Sequence, residues 1–140
     1  MPVSVSLTHI ETLAVTTHSR VELVDITAGI QAALRKLKVK SGVCWVYVPH
    51  TTAAVMINEN ADPSVGRDVN WVLSRLVPKG DDYQHAEGNA DAHTKAALIG
   101  SSVTILVEDG ELNLGTWQGI FFCEFDGPRQ RRVLVKAMSD

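Results

Sequence analysis

Three observations on this 140-residue chain predict an α+β fold: a sandwich-like, largely antiparallel sheet carrying about three helices. Seven β-type runs and three helical stretches follow one another without the regular alternation that marks repeated βαβ units. Two of the runs, Val43–Val48 and Ile120–Phe125, are apolar at both parities, so each expects cover on both faces. Three helices cannot supply all of that cover, and a second sheet or a neighbouring subunit must provide the rest.

The elements follow in order. Leu7–Thr16 and Val21–Ile26 read as strands by their β-branched content. Ile26, Ile30, Ala33, Leu34 and Leu37 then fall at helical spacing, with Asp25 or Thr27 as the cap and Gly42 as the stop. After the strands Val43–Val48 and Ala54–Asn58, the pair Asp62-Pro63 places an N-cap before a proline at the first helical position. The helix it opens carries the stripe Val65, Val69, Val72, Leu73 and Leu76, and both helices are expected to lay their stripes on a sheet. Pro78–Tyr83 is a loop by its Pro, Gly and Asp content. A third helix runs from Asn89 as cap to about Ile99 and ends at Gly100, with Ala90, His93 and Ala97 on one inward face. Val103–Val107, Trp117–Phe125 and Val133–Ala137 complete the strands, joined through a two-residue hairpin at Glu108-Asp-Gly-Glu and a turn at Asp126-Gly-Pro-Arg.

Composition bounds what such a chain can do. Residues 1–140 make one domain. With 45% hydrophobic against 21% charged residues, the polar cover is thin for so small a protein, which suggests an oligomer. The net charge is −3 and no basic run exceeds Arg131-Arg132, so nucleic acid is not an expected partner. No leader-like start and no run of about 18 apolar residues is present, so a soluble, cytoplasmic protein with no membrane partner is expected. Cys44 and Cys123 sit in apolar segments without metal spacing and read as buried free thiols. The phosphate loop, dinucleotide fingerprint, zincin and nucleophile-elbow motifs are all absent.

What remains is a gathering of His, carboxylate and hydroxyl residues at element ends. His50, in Pro49-His-Thr51-Thr, follows a buried strand at once, a rigid place to fix a side chain; the competing reading is a half-buried histidine bonded to a threonine. His85 and His93 are seven apart by intervening residues, not a diagnostic zinc spacing, yet with His50 they would make a divalent-metal or phosphate site if the fold gathers them. Glu59 and Asp62 bracket the start of the second helix, and Asp68 borders its stripe, close enough to reach a cleft or simply be solvated. Asp91 reads as a complement to the helix dipole, and Asp25 as a cap. Arg129 and Arg131, beyond a turn, suit phosphate or carboxylate, although Arg129 could instead pair with Asp126 or Glu124. Trp117 and Gln118 either line a pocket or form a core tryptophan with a bonded glutamine.

Together these blocks resemble one family. His50-Thr-Thr-Ala-Ala-Val-Met-Ile-Asn-Glu59-Asn, Tyr83-x-His85, Asn89-Ala-Asp-Ala-His93, Gly110-x-Leu-x-Leu-Gly-Thr-Trp117-Gln118 and Glu124-x-Asp-Gly-Pro-Arg129-x-Arg131 are similar to the YjbQ family, also called UPF0047, in the family's order. The resemblance implies a compact α+β sandwich, usually a homotrimer, with the histidines near a subunit-interface cleft. It also implies a family of unsettled principal role with weak, secondary thiamine-phosphate synthase activity, joining hydroxymethylpyrimidine diphosphate to thiazole phosphate with release of pyrophosphate. Carried onto this chain, it makes His50, His85, His93, Glu59 and Asp68 candidate catalytic residues. Thr51, Asn58, Asn89, Gln118, Glu124, Arg129 and Arg131 become candidates for holding a small phosphorylated molecule. The three histidines would be ligands if a divalent metal, Mg²⁺ or Zn²⁺, is used, and Glu59 or Asp68 could hold Mg²⁺ against a diphosphate. The alternative is a trimeric metal- or small-anion-binding module without a dedicated catalytic role; in a further alternative the histidines only satisfy buried polar groups.

Overall fold

The computed structural model describes residues 9–80 and 82–140; the expected strand start at Leu7 and Thr8 lies outside them. In chain order the elements are β1 (Glu11–Thr16), β2 (Glu22–Asp25), α1 (Thr27–Leu37), β3 (Gly42–Tyr47), β4 (Ala53–Glu59), α2 (Pro63–Leu76), α3 (Ala90–Ile99), β5 (Ser102–Glu108), β6 (Glu111–Leu112), β7 (Gln118–Glu124) and β8 (Gln130–Ser139). They form the expected α+β sandwich: one sheet in the order β1-β8-β3-β5-β6 and another in the order β2-β7-β4, every pair antiparallel.

The main core lies between the sheets. Alternate residues Cys44 and Val46 on β3, Ile105 and Val107 on β5, and Val133, Val135 and Ala137 on β8 face Val55, Ile120 and Phe122 of the smaller sheet. The α1 stripe of Ile30, Ala33, Leu34 and Leu37 completes this core. The other face of the smaller sheet, with Ala54, Cys123 and Phe125, packs under Leu73 of α2 and Ala92 and Ala96 of α3. Both cysteines are buried and free.

Local chemistry explains the boundaries. The N-cap of α1 is Ile26, and Asp25 just before it braces the start of the helix by accepting from the Thr27 N–H at 2.9 Å and its hydroxyl at 2.6 Å. That helix stops at Lys38, a left-handed residue at φ 59°, before the expected stop at Gly42. Gly42 instead opens β3 at φ 151°, where a Cβ would run into the Met138 carbonyl of β8. Asp62 caps α2 through the Ser64 N–H at 2.9 Å, with Pro63 at the first turn as expected. The hairpin between β5 and β6 uses Asp109 and Gly110, both at positive φ, the geometry its two-residue loop demands.

Two expectations about the helices are corrected. The α2 stripe does not lie down: among its apolar residues only Leu73 is fully buried, while Trp71 is 59%, Val72 44% and Leu76 70% exposed. The buried face of α3 carries Asp91, Ala92, Lys95 and Ala96 rather than Ala90, His93 and Ala97, leaving His93 half-buried at the rim. The cause is Asp91, which is wholly buried and receives Arg20 through both guanidinium arms at 3.2 and 2.9 Å, with the Lys95 ammonium 3.6 Å away. Pinning that carboxylate inward fixes the rotation of the helix, a role well beyond complementing a dipole. Within the chain itself β3 is covered on one face, and Trp45 and Tyr47 on its other face are exposed, the face for which the sequence called on a neighbouring subunit.

Candidate functional site

The loop after β3 brings Pro49, His50, Thr51 and Thr52 against the start of β8 and the N-terminus of α3. There a cavity of about 650 Å³ opens, lined among others by Tyr47, His50, Thr51, Asn89, His93, Ser101, Arg129 and Arg131. Its floor is a buried ion pair. Glu124, the last residue of β7, is fully buried and receives Arg131 Nε at 2.9 Å and Nη2 at 2.5 Å. The Thr17 hydroxyl adds a bond of 2.7 Å and the Asp126 N–H one of 3.1 Å. Burial alone pushes the Glu124 carboxyl up, but the bonds from Arg131, Thr17 and Asp126 outweigh it and hold it below the usual carboxylate range. Arg131 Nη2 also reaches the Thr52 hydroxyl at 2.8 Å, so the guanidinium is fixed from two strands and a loop.

A second pair forms the rim. Arg129 donates to Asp126 through Nη2 at 2.9 Å, and Asn89 Nδ2 donates to the same oxygen at 2.9 Å, tying α3 to the turn after β7. The Asn89 amide is therefore spent on Asp126 and does not cap α3 through its side chain. The other side of that amide, Oδ1, is buried without a partner.

His50 is held in one role. Its Nε2 accepts the Arg132 backbone N–H at 3.1 Å, so the neutral ring carries its proton on Nδ1. Burial lowers its pKa, and the Arg131 charge lowers it further, so the ring is a neutral N–H donor at pH 7.

The structure thus gathers His50, Thr51, Asn89, His93, Arg129 and Arg131 around one cavity, with Glu124 beneath. His85 stands outside it, 41% exposed, its ring edge-on to His93 with centroids 5.0 Å apart and its Nε2 3.7 Å from Glu87. The remaining candidates are elsewhere. Asn58 Oδ1 accepts the Glu59 N–H at 2.8 Å, and Gln118 Oε1 accepts the Gly115 N–H at 2.7 Å. Glu59 lines a separate cavity of about 370 Å³ with Asp25, Arg67 and Asn70, and Asp68 is exposed on α2. The register of β4 and β7 explains the split: Ala53 faces Glu124 and Glu59 faces Gln118, six residues or ~20 Å apart along the strand. Trp117 is 63% exposed, so it is no core tryptophan.

Among the described residues no three His, Cys, Asp or Glu side chains are placed to hold one ion, and Glu59 and Asp68 lie away from the arginine cavity.

Residues that sequence reasoning missed are mostly supports. Thr17 bonds Glu124 and accepts the Arg129 N–H at 2.8 Å, and nothing in its sequence context announces that. Asp126 was visible as a pairing partner for Arg129 but not as the anchor of Asn89. Arg20, Asp91 and Lys95 are far apart enough in sequence, Lys95 excepted, that only the tertiary fold reveals their network.

Comparison with known proteins agrees with this fold. The family model described as "UPF0047 protein YjbQ-like" matches residues 11–140. A UPF0047 protein of Methanocaldococcus jannaschii is 56% identical over 124 residues, covering 89% of this chain and 90% of the relative. The UPF0047 protein YugU of Bacillus subtilis is 45% identical over 130 residues, covering 92% and 98%. Among solved structures, an uncharacterised conserved protein of this family from Clostridium acetobutylicum superposes with a TM-score of 0.89 at 48% identity, over 91% of this chain and 99% of that one. A YbjQ-like protein of unknown function from Sulfolobus solfataricus gives 0.91 at 31% identity, over 96% and 99%. With the matched region running through every strand and helix described above, the chain belongs to the UPF0047 (YjbQ-like) family.

Proposed function

We propose that the cavity binds a small phosphorylated molecule and supports a transfer in which pyrophosphate leaves, the secondary thiamine-phosphate synthase reaction being the form the family resemblance suggests. The observation that carries this reading is that His50, a neutral ring whose Nε2 is already used, lines the same cavity as Arg129 and Arg131, a cavity large enough for a substrate of that size. In the reaction the bond from the pyrimidine methylene to the diphosphate oxygen breaks and its electron pair leaves with pyrophosphate. The thiazole nitrogen lone pair forms the new C–N bond. What the chain supplies is charge stabilisation at the departing oxygens, from the His50 donor, the Thr51 hydroxyl and the arginines, together with alignment of the two partners. The unpartnered Asn89 Oδ1 wants a donor, which an amine or hydroxyl of the bound molecule offers. We include a homotrimer and a cytoplasmic setting in this reading; the exposed apolar residues support the former, and no helix of the described residues is long and apolar enough to cross a membrane.

One observation favours a second reading. Both arginines are already paired with carboxylates, so the cavity is not strongly cationic, which suits a small-anion-binding module without a dedicated catalytic role. One experiment separates the two. Pyrophosphate binding is measured by calorimetry and synthase turnover by product formation, for the native chain, His50→Ala and Arg129→Ala. The first reading expects each variant to lose roughly tenfold or more in both measurements, the range of a lost charge-assisted or anion-directed hydrogen bond. Binding lost with no native turnover above background supports the module, and native-like binding in both variants overturns the site itself.

A further inference from the structure

The arginine cavity does not stand by itself. A second space of about 370 Å³ adjoins it along α3, and His50, Thr51, His93 and Ser101 line both. Thr51 and Ser101 on that shared edge are exposed, so the two spaces meet at an open rim. Beyond the rim the groove is walled by Ala53 at the start of β4 and by Ala96, Ala97 and Gly100 of α3 and its end. His93, Ala96, Ala97 and Gly100 fall at i, i+3, i+4 and i+7, one face of the helix. After His93 that face carries no atom beyond Cβ, and Ala53 opposite is just as short. Even a Cβ placed at Gly100 would meet nothing within 4 Å. The helix cannot roll to close this gap, because the paired bonds from Arg20 to the buried Asp91 fix its rotation.

The two spaces differ in chemistry. Glu87, Asp126, Arg129 and Arg131 all line the first, whereas no Lys, Arg, Asp or Glu lines the groove. Lys95, on the same helix, is buried against Asp91 at 3.6 Å and lies over the Phe125 ring. Between the two stands His93, whose ring meets His85 edge-on and whose nitrogens have no hydrogen-bond partner among the described residues.

We propose that the cavity and the groove form one bipartite site for an organic phosphate or diphosphate ester, the anion held in the arginine cavity and a compact aromatic group esterified to it lying in the groove. Ala97 is the residue that keeps room for that group. This rests on the anion reading of the arginine cavity and adds what the ligand carries at its other end. An inorganic ion leaves the methyl-lined groove to water, and a sugar would bury hydroxyls against alanines that offer them no partner. A flat ring covers those methyls and turns its edge to the unpartnered His93 imidazole. The size agrees, since about 370 Å³ lies near the lower end of small-molecule sites, room for a single ring rather than a nucleoside or a long chain.

The test compares two probes, inorganic pyrophosphate and 2-phenylethyl diphosphate, by calorimetry on the native chain, Ala97→Leu and Ala97→Ser. Ala97 is exposed, so neither substitution enters the core, and circular dichroism checks the fold. The native chain should bind the ester at least roughly tenfold more tightly than pyrophosphate, the gain from taking a phenyl ring out of water. Ala97→Leu should keep the native affinity for pyrophosphate and lose the preference for the ester, while Ala97→Ser, which leaves the groove open, should keep both. A native chain that binds pyrophosphate but the ester no better overturns this inference alone, and one that binds neither overturns the anion reading with it. A preference that survives Ala97→Leu, and survives the larger Ala97→Phe as well, places the ring elsewhere and overturns the groove.

Discussion

Glu124 and Arg131 show how a charged floor survives in a hydrophobic setting. Both are buried, and the pair holds because the carboxylate is also bonded by Thr17 and the Asp126 N–H while the guanidinium is bonded by Thr52. Removing one partner strands the other: Glu124→Ala should lower stability by about 3–5 kcal/mol in chemical denaturation. Because the native carboxyl is held below its ordinary value of 4.5, its contribution is complete above that pH and is lost as the pH falls through the lower native value. His50 acts in the same sense at a higher pH. Its native pKa lies below 6.5, so the stability that comes from keeping it neutral is present above about 6.5 and drains away as the pH drops toward the native value. Denaturation midpoints followed downward from pH 7 should therefore fall in two stages, and His50→Gln should remove the first. Individual site residues were legible in sequence where they sit at element ends, as His50, Asn89 and Arg131 do. Asn58, Glu59 and Gln118 share those signals but lie at the far end of β4, and a linear motif carries no information about which end of a strand it occupies.

At the level of elements, periodicity located all three helices, and cap chemistry placed the start of α2 at Pro63. What periodicity could not show is how much of a stripe the same chain covers. The Ile30, Ala33, Leu34 and Leu37 stripe of α1 sinks into the main core, whereas that of α2 stays largely in solvent. The orientation of α3 was hidden for a different reason: a buried carboxylate, Asp91, faces the core, and sequence patterning assigns inward faces to apolar residues. The two helices should respond differently to truncation. Leu34→Ala should cost about 3–5 kcal/mol and Leu73→Ala nearer 2 kcal/mol, with α2 amides the first of the helical amides to exchange with deuterium. Equal costs, or an α2 as protected as α1, would contradict the weak attachment described for it.

On the scale of the whole molecule, the excess of apolar over charged residues resolves into two open surfaces and a sandwich between them. Fold class and the antiparallel sheets were within reach of pattern alone, because β-type runs without regular helical crossovers leave few other architectures. Strand order was not. β8, the latest strand in chain order, is inserted between β1 and β3, so the sheet is sewn together by pairings such as Glu11 with Val135 and Gly42 with Ser139. That placement bears on how the protein is born. Until residues 130–139 have left the ribosome, β1 has no partner in its sheet, β3 lacks one of its two neighbours and Arg131 is missing from beneath the cavity. Nascent chains must therefore keep a long apolar stretch from straying, and a chain cut before Gln130 should be collapsed, protease-sensitive and unable to bind pyrophosphate, with folding and site arriving together in the last ten-residue strand.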